Sequence, residues 1–205
     1  MQDEEVLKMV EEYTTTLLKE KLTTGHYFHD LKHTQEVVQG CVEICTNLNF
    51  YSEEITTVSI AAWFHDTGYC NKYKDHEIES TRIAMGFLAP LHFPEQSIKE
   101  IISMIRATKY PQQPVTLMEK VICDADFYHF SREDYPAHER ALRKEWEIYL
   151  HLTFSDGEWA RLNYEMLKKH SYYTAYGQKT LQTGKDKNIK NLAKILNYNQ
   201  DENNH

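Results

Sequence analysis

The segment that most restricts the fold is VSIAAWF, residues 58–64, in which every position except Ser59 is apolar. A helix that is apolar all round has no face to present to water, so it must be enclosed by other parts of the chain. The same segment runs directly into His65 and Asp66. We therefore predict a central, buried helix that delivers two polar side chains into the interior of the protein.

The rest of the chain also has helical patterning. Most segments repeat apolar residues with the spacing of one helix face, and 7 Gly and 5 Pro in 205 residues leave few breakpoints for a sheet. The predicted helices include residues 3–22, 33–48, 115–130, 132–152 and 186–198. The predicted boundary signals are Ser52 and Asp75 as caps, Gly68 as a helix end, Pro94 in a first turn, and a capping box at SDGE, 155–158. We predict one all-α domain, a helical bundle, over residues 1–205.

Charge and composition limit the classes of partner. The formal net charge of −8 disfavours a long nucleic acid, because such partners are normally bound by a basic face. The acidic N-terminus does not resemble a signal peptide, and no apolar run reaches the roughly 20 residues that span a bilayer. The four cysteines lack paired CxxC spacing and are expected to be reduced core residues. These features predict a soluble, cytoplasmic protein without a membrane partner.

A carboxylate at the end of a buried helix needs a compensating partner. For Asp66 this partner is either a basic side chain or a metal ion. The adjacent His65 adds a nitrogen donor, and nitrogen and oxygen donors together suit Mn, Fe, Co, Ni or Zn better than Ca or Mg. The dipeptide alone leaves both explanations open, since a core histidine can also hydrogen-bond within the interior.

Two other segments carry further candidate ligands. HYFHDLKHT has three histidines in nine positions, and His33 lies at the edge of the apolar stripe of the helix that follows. His29 would share that face if the helix began early. VICDADF places Asp124 and Asp126 on an otherwise hydrophobic helix. Helical phase does not choose between these two carboxylates.

Together these segments resemble the HD superfamily of metal-dependent phosphohydrolases, which is named for its H…HD…D order. YFHDLKHTQEVV is similar to the YHNxxHTxxVV opening of one subgroup, FHDTGY to its HDxGY, and DHEIESTRIA to its NHExxSAxxA. IRATKYP and VICDADF resemble its ATK and DAD segments. The likeness covers about residues 26–130. It implies an HD-type helical core there, followed by a helical C-terminal extension over about residues 131–198.

The resemblance implies a metal site held by four residues: His33, His65, Asp66 and Asp126. The alignment with the Ala-Asp of the family favours Asp126 over Asp124, which is then a structural residue. Dinuclear members have additional histidines, and His76 stands where one of these could be, but their later His pair is missing here. We therefore expect one divalent ion, Mn, Fe, Co, Ni or Zn, with Mg as a further candidate.

The resemblance also implies hydrolysis of a phosphomonoester or phosphodiester bond in a nucleotide or a similar small phosphate ester. Glu77 is a candidate general base, and His29 is a candidate for contacting the phosphate or orienting water. Arg106 and Lys109 are candidate cations for the negative charge that develops on the equatorial oxygens in the transition state.

Several alternatives stay open from the sequence. A dinuclear phosphodiesterase acting on cyclic nucleotides or dinucleotides would use His76 as a ligand. A nucleotide-sensing HD module would bind without turnover, although the intact ligand set disfavours it. The segment HSYYTAY could line a nucleoside pocket or pack between helices. The acidic N-terminal helix and the charged segment 132–152 could support a homodimer or be solvated faces.

Overall fold

The computed structural model describes residues 3–202, and the fold over this range is all-α, as the sequence predicts. The α-helices are α1 (Asp3–Lys21), α2 (Leu31–Asn47), α3 (Ser52–Phe64), α4 (His76–Leu88), α5 (Glu95–Ala107), α6 (Leu117–Asp126), α7 (Tyr135–Tyr149), α8 (Asp156–Lys169) and α9 (Gln182–Glu202). Short 3-10 turns follow α3, α4 and α6, and a π-helical turn, Gly177–Leu181, leads into α9. Among these helices none combines the length and the apolarity that crossing a membrane requires.

Helix α3 is the central helix that its composition predicts. All of its residues from Thr56 to Phe64 are buried, and it packs against α1, α2, α5 and α6. Ile60 and Phe64 are fully buried, and burial of a side chain of this size contributes about 1.5–3 kcal/mol. Because the surrounding helices enclose α3, the residues that follow its last turn lie in the interior.

Two predicted N-terminal signals are displaced by one residue. Ser52 is the first residue of α3, and the N-cap is Tyr51, whose N–H donates to the Glu54 carboxylate at 2.8 Å. Pro94 is the N-cap of α5 and not part of its first turn. In contrast, the predicted capping box of α8 is confirmed, since the Ser155 hydroxyl accepts from the N–H of the residue three positions later.

The prediction that Gly68 ends the central helix is wrong. Helix α3 ends at Phe64, and Gly68 lies in the 3-10 turn Thr67–Cys70. A Cβ at this position would lie 1.9 Å from the carbonyl oxygen of His76. Glycine is therefore required because the start of α4 packs directly against the turn.

The two long helices predicted after residue 115 are shorter in the structure. Helix α6 ends at Asp126, and a 3-10 turn, Tyr128–Ser131, takes the place of its predicted last turn. Helix α7 begins at Tyr135, because Pro136 suits a first helical turn but not a helix interior. The 3-10 turn in the break between α6 and α7 packs against α9.

The C-terminal extension packs back onto the rest of the chain. Helix α9 contacts α8 and the turn Tyr128–Ser131, around a small second core of Phe130, Tyr135, Leu167 and Leu192. The tyrosines of HSYYTAY pack against the main core, which is the second of the two alternatives given above. All four cysteines are free thiols, as expected.

Candidate metal centre and adjoining cavity

Four polar side chains from three separate elements meet at the C-terminal end of α3. His65 and Asp66 directly follow this helix, His33 lies in the first turn of α2, and Asp126 is the last residue of α6. His65 Nε2 is 3.2 Å from Asp66 Oδ2, and His33 Nε2 is 3.5 Å from the same oxygen. Asp126 Oδ1 lies 3.3 Å from His33 Nε2 and 3.8 Å from His65 Nε2. His33, His65 and Asp66 thus form one group, and Asp126 lies beside its two histidines.

Three of these side chains present buried atoms without a hydrogen-bond partner. The atoms are Nε2 of His33, Nε2 of His65 and Oδ2 of Asp66, and all lie within 4.8 Å of one another. Two ligands that each lie about 2.1 Å from one ion are about 3.0–3.4 Å apart. The separations of 3.2 and 3.3 Å lie in this range, and those of 3.5 and 3.8 Å lie above it. Imidazole nitrogens with a carboxylate oxygen are a donor set for divalent transition metals. The site therefore fits a divalent metal ion.

His65 is held in the orientation that leaves Nε2 free. Its Nδ1–H donates to the carbonyl oxygen of Ala62 at 2.7 Å, a contact of the type that orients metal-binding histidines. Burial lowers the pKa of His65, but the adjacent Asp66 carboxylate outweighs it and raises this pKa to about 9. Burial raises the pKa of Asp66, and His65 in turn holds it well below its usual range. A cation would replace the proton that the pair otherwise shares.

Asp124 and Asp126 point in different directions. The Asp124 carboxylate is fully buried and accepts hydrogen bonds from the N–H groups of Tyr173 and Thr174, at 2.8 and 2.9 Å, and from the Thr174 hydroxyl at 2.7 Å. Asp126 instead faces His33 and His65. Asp124 therefore fastens the C-terminal extension to α6, while Asp126 lies beside the cluster of His33, His65 and Asp66.

The start of α4 brings His76 and Glu77 beside the cluster. His76 Nε2 is 3.3 Å from Asp66 Oδ1, the carboxylate oxygen that does not face the other two histidines. Its ring stacks on Tyr69, with the centroids 3.7 Å apart. Glu77 is buried, and its Oε2 has no hydrogen-bond partner. A free, buried carboxylate next to the cluster has the placement that a general base needs.

His29 is held by Glu145, which the sequence did not single out. Glu145 on α7 is fully buried, and its carboxylate accepts from the His29 imidazole N–H, from the N–H groups of Phe28 and His29, and from the Tyr73 hydroxyl. Burial lowers the pKa of His29, but Glu145 outweighs it, so the pKa of His29 is raised. The network favours the protonated form of the His29 imidazole beside the cluster.

Arg106 and Lys109 are not brought to the cluster. Arg106 is exposed on α5, whose buried face carries Ile101 and Ile105. The Lys109 ammonium is exposed and donates to the carboxylate of Asp75. Asp75 occupies the predicted cap position of α4, but its side chain makes no capping hydrogen bond because it pairs with this lysine.

A cavity of about 290 Å³ adjoins the cluster. Its polar wall is formed by His29, Asp66, His76, Glu77 and Asp126, and its remaining wall is largely aromatic. His129 and His138, which sequence analysis did not consider, also line it. Burial lowers the pKa of His129 well below its usual range. This histidine is therefore neutral and can accept or donate a hydrogen bond inside the cavity.

Comparisons with known proteins agree with this description of the fold. The sequence profile of the HD domain family matches residues 30–131. No curated protein sequence matches the chain. Among solved structures, the Lin1889 protein from Listeria innocua is 20% identical, with a TM-score of 0.68 and 96% of each chain covered.

Two further structures have the same fold. A predicted HD superfamily hydrolase from an uncultured Thermotogales bacterium is 17% identical, with a TM-score of 0.64 and coverage of 93% of this chain and 91% of that one. Bacillus subtilis YpgQ, solved in complex with ADP, is 15% identical, with a TM-score of 0.66 and 95% of each chain covered. The HD domain family match thus covers residues 30–131, and the chain shares its fold with these three solved structures.

Proposed function

We propose that this protein is a metal-dependent phosphohydrolase that cleaves a phosphomonoester or phosphodiester bond in a nucleotide or a similar small phosphate ester. The carrying observation is the group of buried, unpartnered ligand atoms of His33, His65 and Asp66, of which Asp66 also lines a cavity of about 290 Å³. The same fold was solved in complex with ADP in YpgQ, which supports the nucleotide part of the proposal.

In this proposal His33, His65, Asp66 and Asp126 hold one divalent ion. Such an ion, when bound, polarises a phosphoryl oxygen and lowers the pKa of a water molecule. The nitrogen and oxygen donors favour Mn, Fe, Co, Ni or Zn. His76 contacts the outer oxygen of Asp66, so it is the residue that would join the ligands in the dinuclear phosphodiesterase alternative.

The other residues of the polar wall take the roles that their surroundings suit. Glu77 accepts the proton of the attacking water, because its free carboxylate oxygen is buried at the cavity. His29, whose protonated form is favoured by Glu145, donates to a phosphoryl oxygen or to the leaving oxygen. Arg106 and Lys109 have no contact with the reacting phosphate in this proposal, since both are exposed and neither lines the cavity.

Phosphate release after controlled metal loading tests the proposal. Chelator-treated protein is loaded separately with Mn, Fe, Co, Ni, Zn and Mg and assayed against nucleoside monophosphates, phosphodiesters and p-nitrophenyl phosphate. We expect metal-dependent hydrolysis that Asp66→Ala and Asp126→Ala each abolish. Asp124→Asn is the matched control and should retain its metal. Full turnover by Asp66→Ala would refute the site, and no hydrolysis with any metal would favour a module that only binds.

A further inference from the structure

The part of the cavity between α7 and α8 is walled by flat rings set at right angles. Trp146 and Trp159 meet edge to face, with centroids 5.6 Å apart and planes at 88°. Phe130 and Tyr135 meet in the same manner, at 5.9 Å and 84°. All four rings line the cavity. Perpendicular rings form corners in which a further flat ring can lie against one face and meet an edge of the next.

Glu139 places a carboxylate among these rings. It lines the cavity, is partly buried, and accepts a hydrogen bond through Oε2 from the indole N–H of Trp159. Oε1 has no hydrogen bond within the part of the chain that the structure describes. A carboxylate can accept at both oxygens, and Glu139 lines a cavity whose wall between α7 and α8 is largely aromatic. A ligand that donates N–H groups would hydrogen-bond to the free oxygen of Glu139.

The charges around the cavity restrict the ligand further. Its lining contains four carboxylates, Asp66, Glu77, Asp126 and Glu139, and no lysine or arginine among the residues that the structure describes. A chain of several phosphates needs several cationic contacts, and those are missing from this lining. The cavity therefore suits a ligand with one phosphate and with hydrogen-bond donors on its organic part.

We propose that the pocket between α7 and α8 binds the ring of a nucleoside monophosphate whose edge presents two adjacent N–H donors, as guanine does, and that Glu139 determines this specificity. This inference rests on the proposed function and names its substrate class. Guanine offers N1–H and its 2-amino group side by side, so one carboxylate can accept both. Adenine and cytosine offer an amino group beside an acceptor nitrogen, which would face the carboxylate unfavourably.

Nucleoside binding tests the subsite without any turnover. Trp146 and Trp159 line the pocket, so quenching of tryptophan fluorescence by guanosine, inosine and adenosine reports occupancy. We expect guanosine to bind roughly ten- to hundredfold tighter than adenosine, with inosine, which lacks the 2-amino group, in between. Equal binding of guanosine and adenosine would overturn the proposal. Displacement of guanosine by phosphoethanolamine at a lower concentration would assign the pocket to an ammonium group instead.

The variant Glu139→Gln separates recognition from folding. Glutamine can still accept the indole N–H of Trp159 but presents a donor and an acceptor to the ligand, so the preference for guanosine over adenosine should fall toward unity. Glu147→Gln, on the exposed side of the same helix, should keep the wild-type ratio. An unchanged ratio in folded Glu139→Gln would refute the role of Glu139. If Glu139→Gln does not unfold cooperatively, it is not folded and is set aside. The comparison of guanosine and adenosine binding by the wild type then tests the subsite.

Hydrolysis separates this inference from the function on which it rests. For the metal-loaded protein, we expect the ratio of kcat/KM for guanosine monophosphate to that for p-nitrophenyl phosphate to fall roughly ten- to hundredfold in Glu139→Gln. Selective guanosine binding without hydrolysis under any metal would refute the phosphohydrolase and leave the subsite standing. Hydrolysis without base selectivity would refute the subsite and leave the phosphohydrolase standing.

Discussion

Replacement of Glu145 by glutamine should destabilise the protein in a pH-dependent manner. Burial raises the pKa of Glu145, but His29 and the surrounding N–H donors outweigh it and bring this pKa from 4.5 to about 2. A pKa that is about 2.5 lower in the folded state corresponds to about 3 kcal/mol of stabilisation. Glutamine keeps the shape of the side chain but removes the charge that His29 and two backbone N–H groups contact.

The sign of each titration sets the pH range of the effect. The folded-state pKa of Glu145 is lowered, so its contribution is complete above about pH 4.5 and is lost as the pH falls toward 2. The pKa of His29 is raised, so its contribution is present below its ordinary pKa of 6.5 and fades as the pH rises through the folded-state value. The pair is therefore most stabilising between these two limits.

Urea unfolding of wild type and Glu145→Gln across pH 3.5 to 9 measures this difference. We expect the free energy of unfolding to differ by about 3 kcal/mol near pH 5.5, and the difference to shrink toward both ends of the range. Glu147→Gln, an exposed position on the same helix, should change stability by less than about 0.5 kcal/mol. A difference that is constant with pH, or equal effects in the two variants, would refute the His29–Glu145 ion pair.

Three further variants test other placements. Gly68→Ala should lower the free energy of unfolding by several kcal/mol, because its Cβ would lie 1.9 Å from the carbonyl oxygen of His76. Thermal unfolding measures the loss, and a variant as stable as the wild type would contradict this packing. Asp124→Asn should cost about 2–3 kcal/mol in urea unfolding, since the buried NH2 group of asparagine would replace one of two oxygens that accept hydrogen bonds and would face a donor, while metal content stays unchanged. Lys109→Met should change kcat/KM by less than about threefold, because an exposed ion pair is worth little; a loss above a hundredfold would restore Lys109 as a catalytic cation.

The centre of the fold could be predicted because it is encoded locally. The all-round apolarity of residues 58–64 can be satisfied only in the interior, and it predicted both the buried helix and the placement of His65 and Asp66. The choice between Asp124 and Asp126 could not be made from helical phase. Helix α6 has packing partners on two sides. Thr174, which contacts Asp124 on the second side, lies 50 residues away in the sequence.

The parts of the site that could not be predicted from the sequence depend on contacts between residues far apart in the chain. Glu145 meets His29 across 116 residues, and it lies in a charged segment whose composition is that of a solvated helix. Three rings of the aromatic wall, Tyr135, Trp146 and Trp159, likewise come from α7 and α8, beyond the segments that resemble the HD superfamily. The orientation of Lys109 toward Asp75 depends on how the start of α4 packs beside the end of α5, which neither helix shows alone.

Metal stoichiometry is the most direct test of the account. Chelator-treated wild type, Asp66→Ala and Asp124→Asn are titrated with Co²⁺ by calorimetry, and the bound metal is then measured by elemental analysis after dialysis. The cluster of His33, His65, Asp66 and Asp126 predicts one ion per chain in wild type and in Asp124→Asn, and none in Asp66→Ala. Equal binding by Asp66→Ala and wild type would contradict the central claim, and two ions per wild-type chain would assign His76 to a second site.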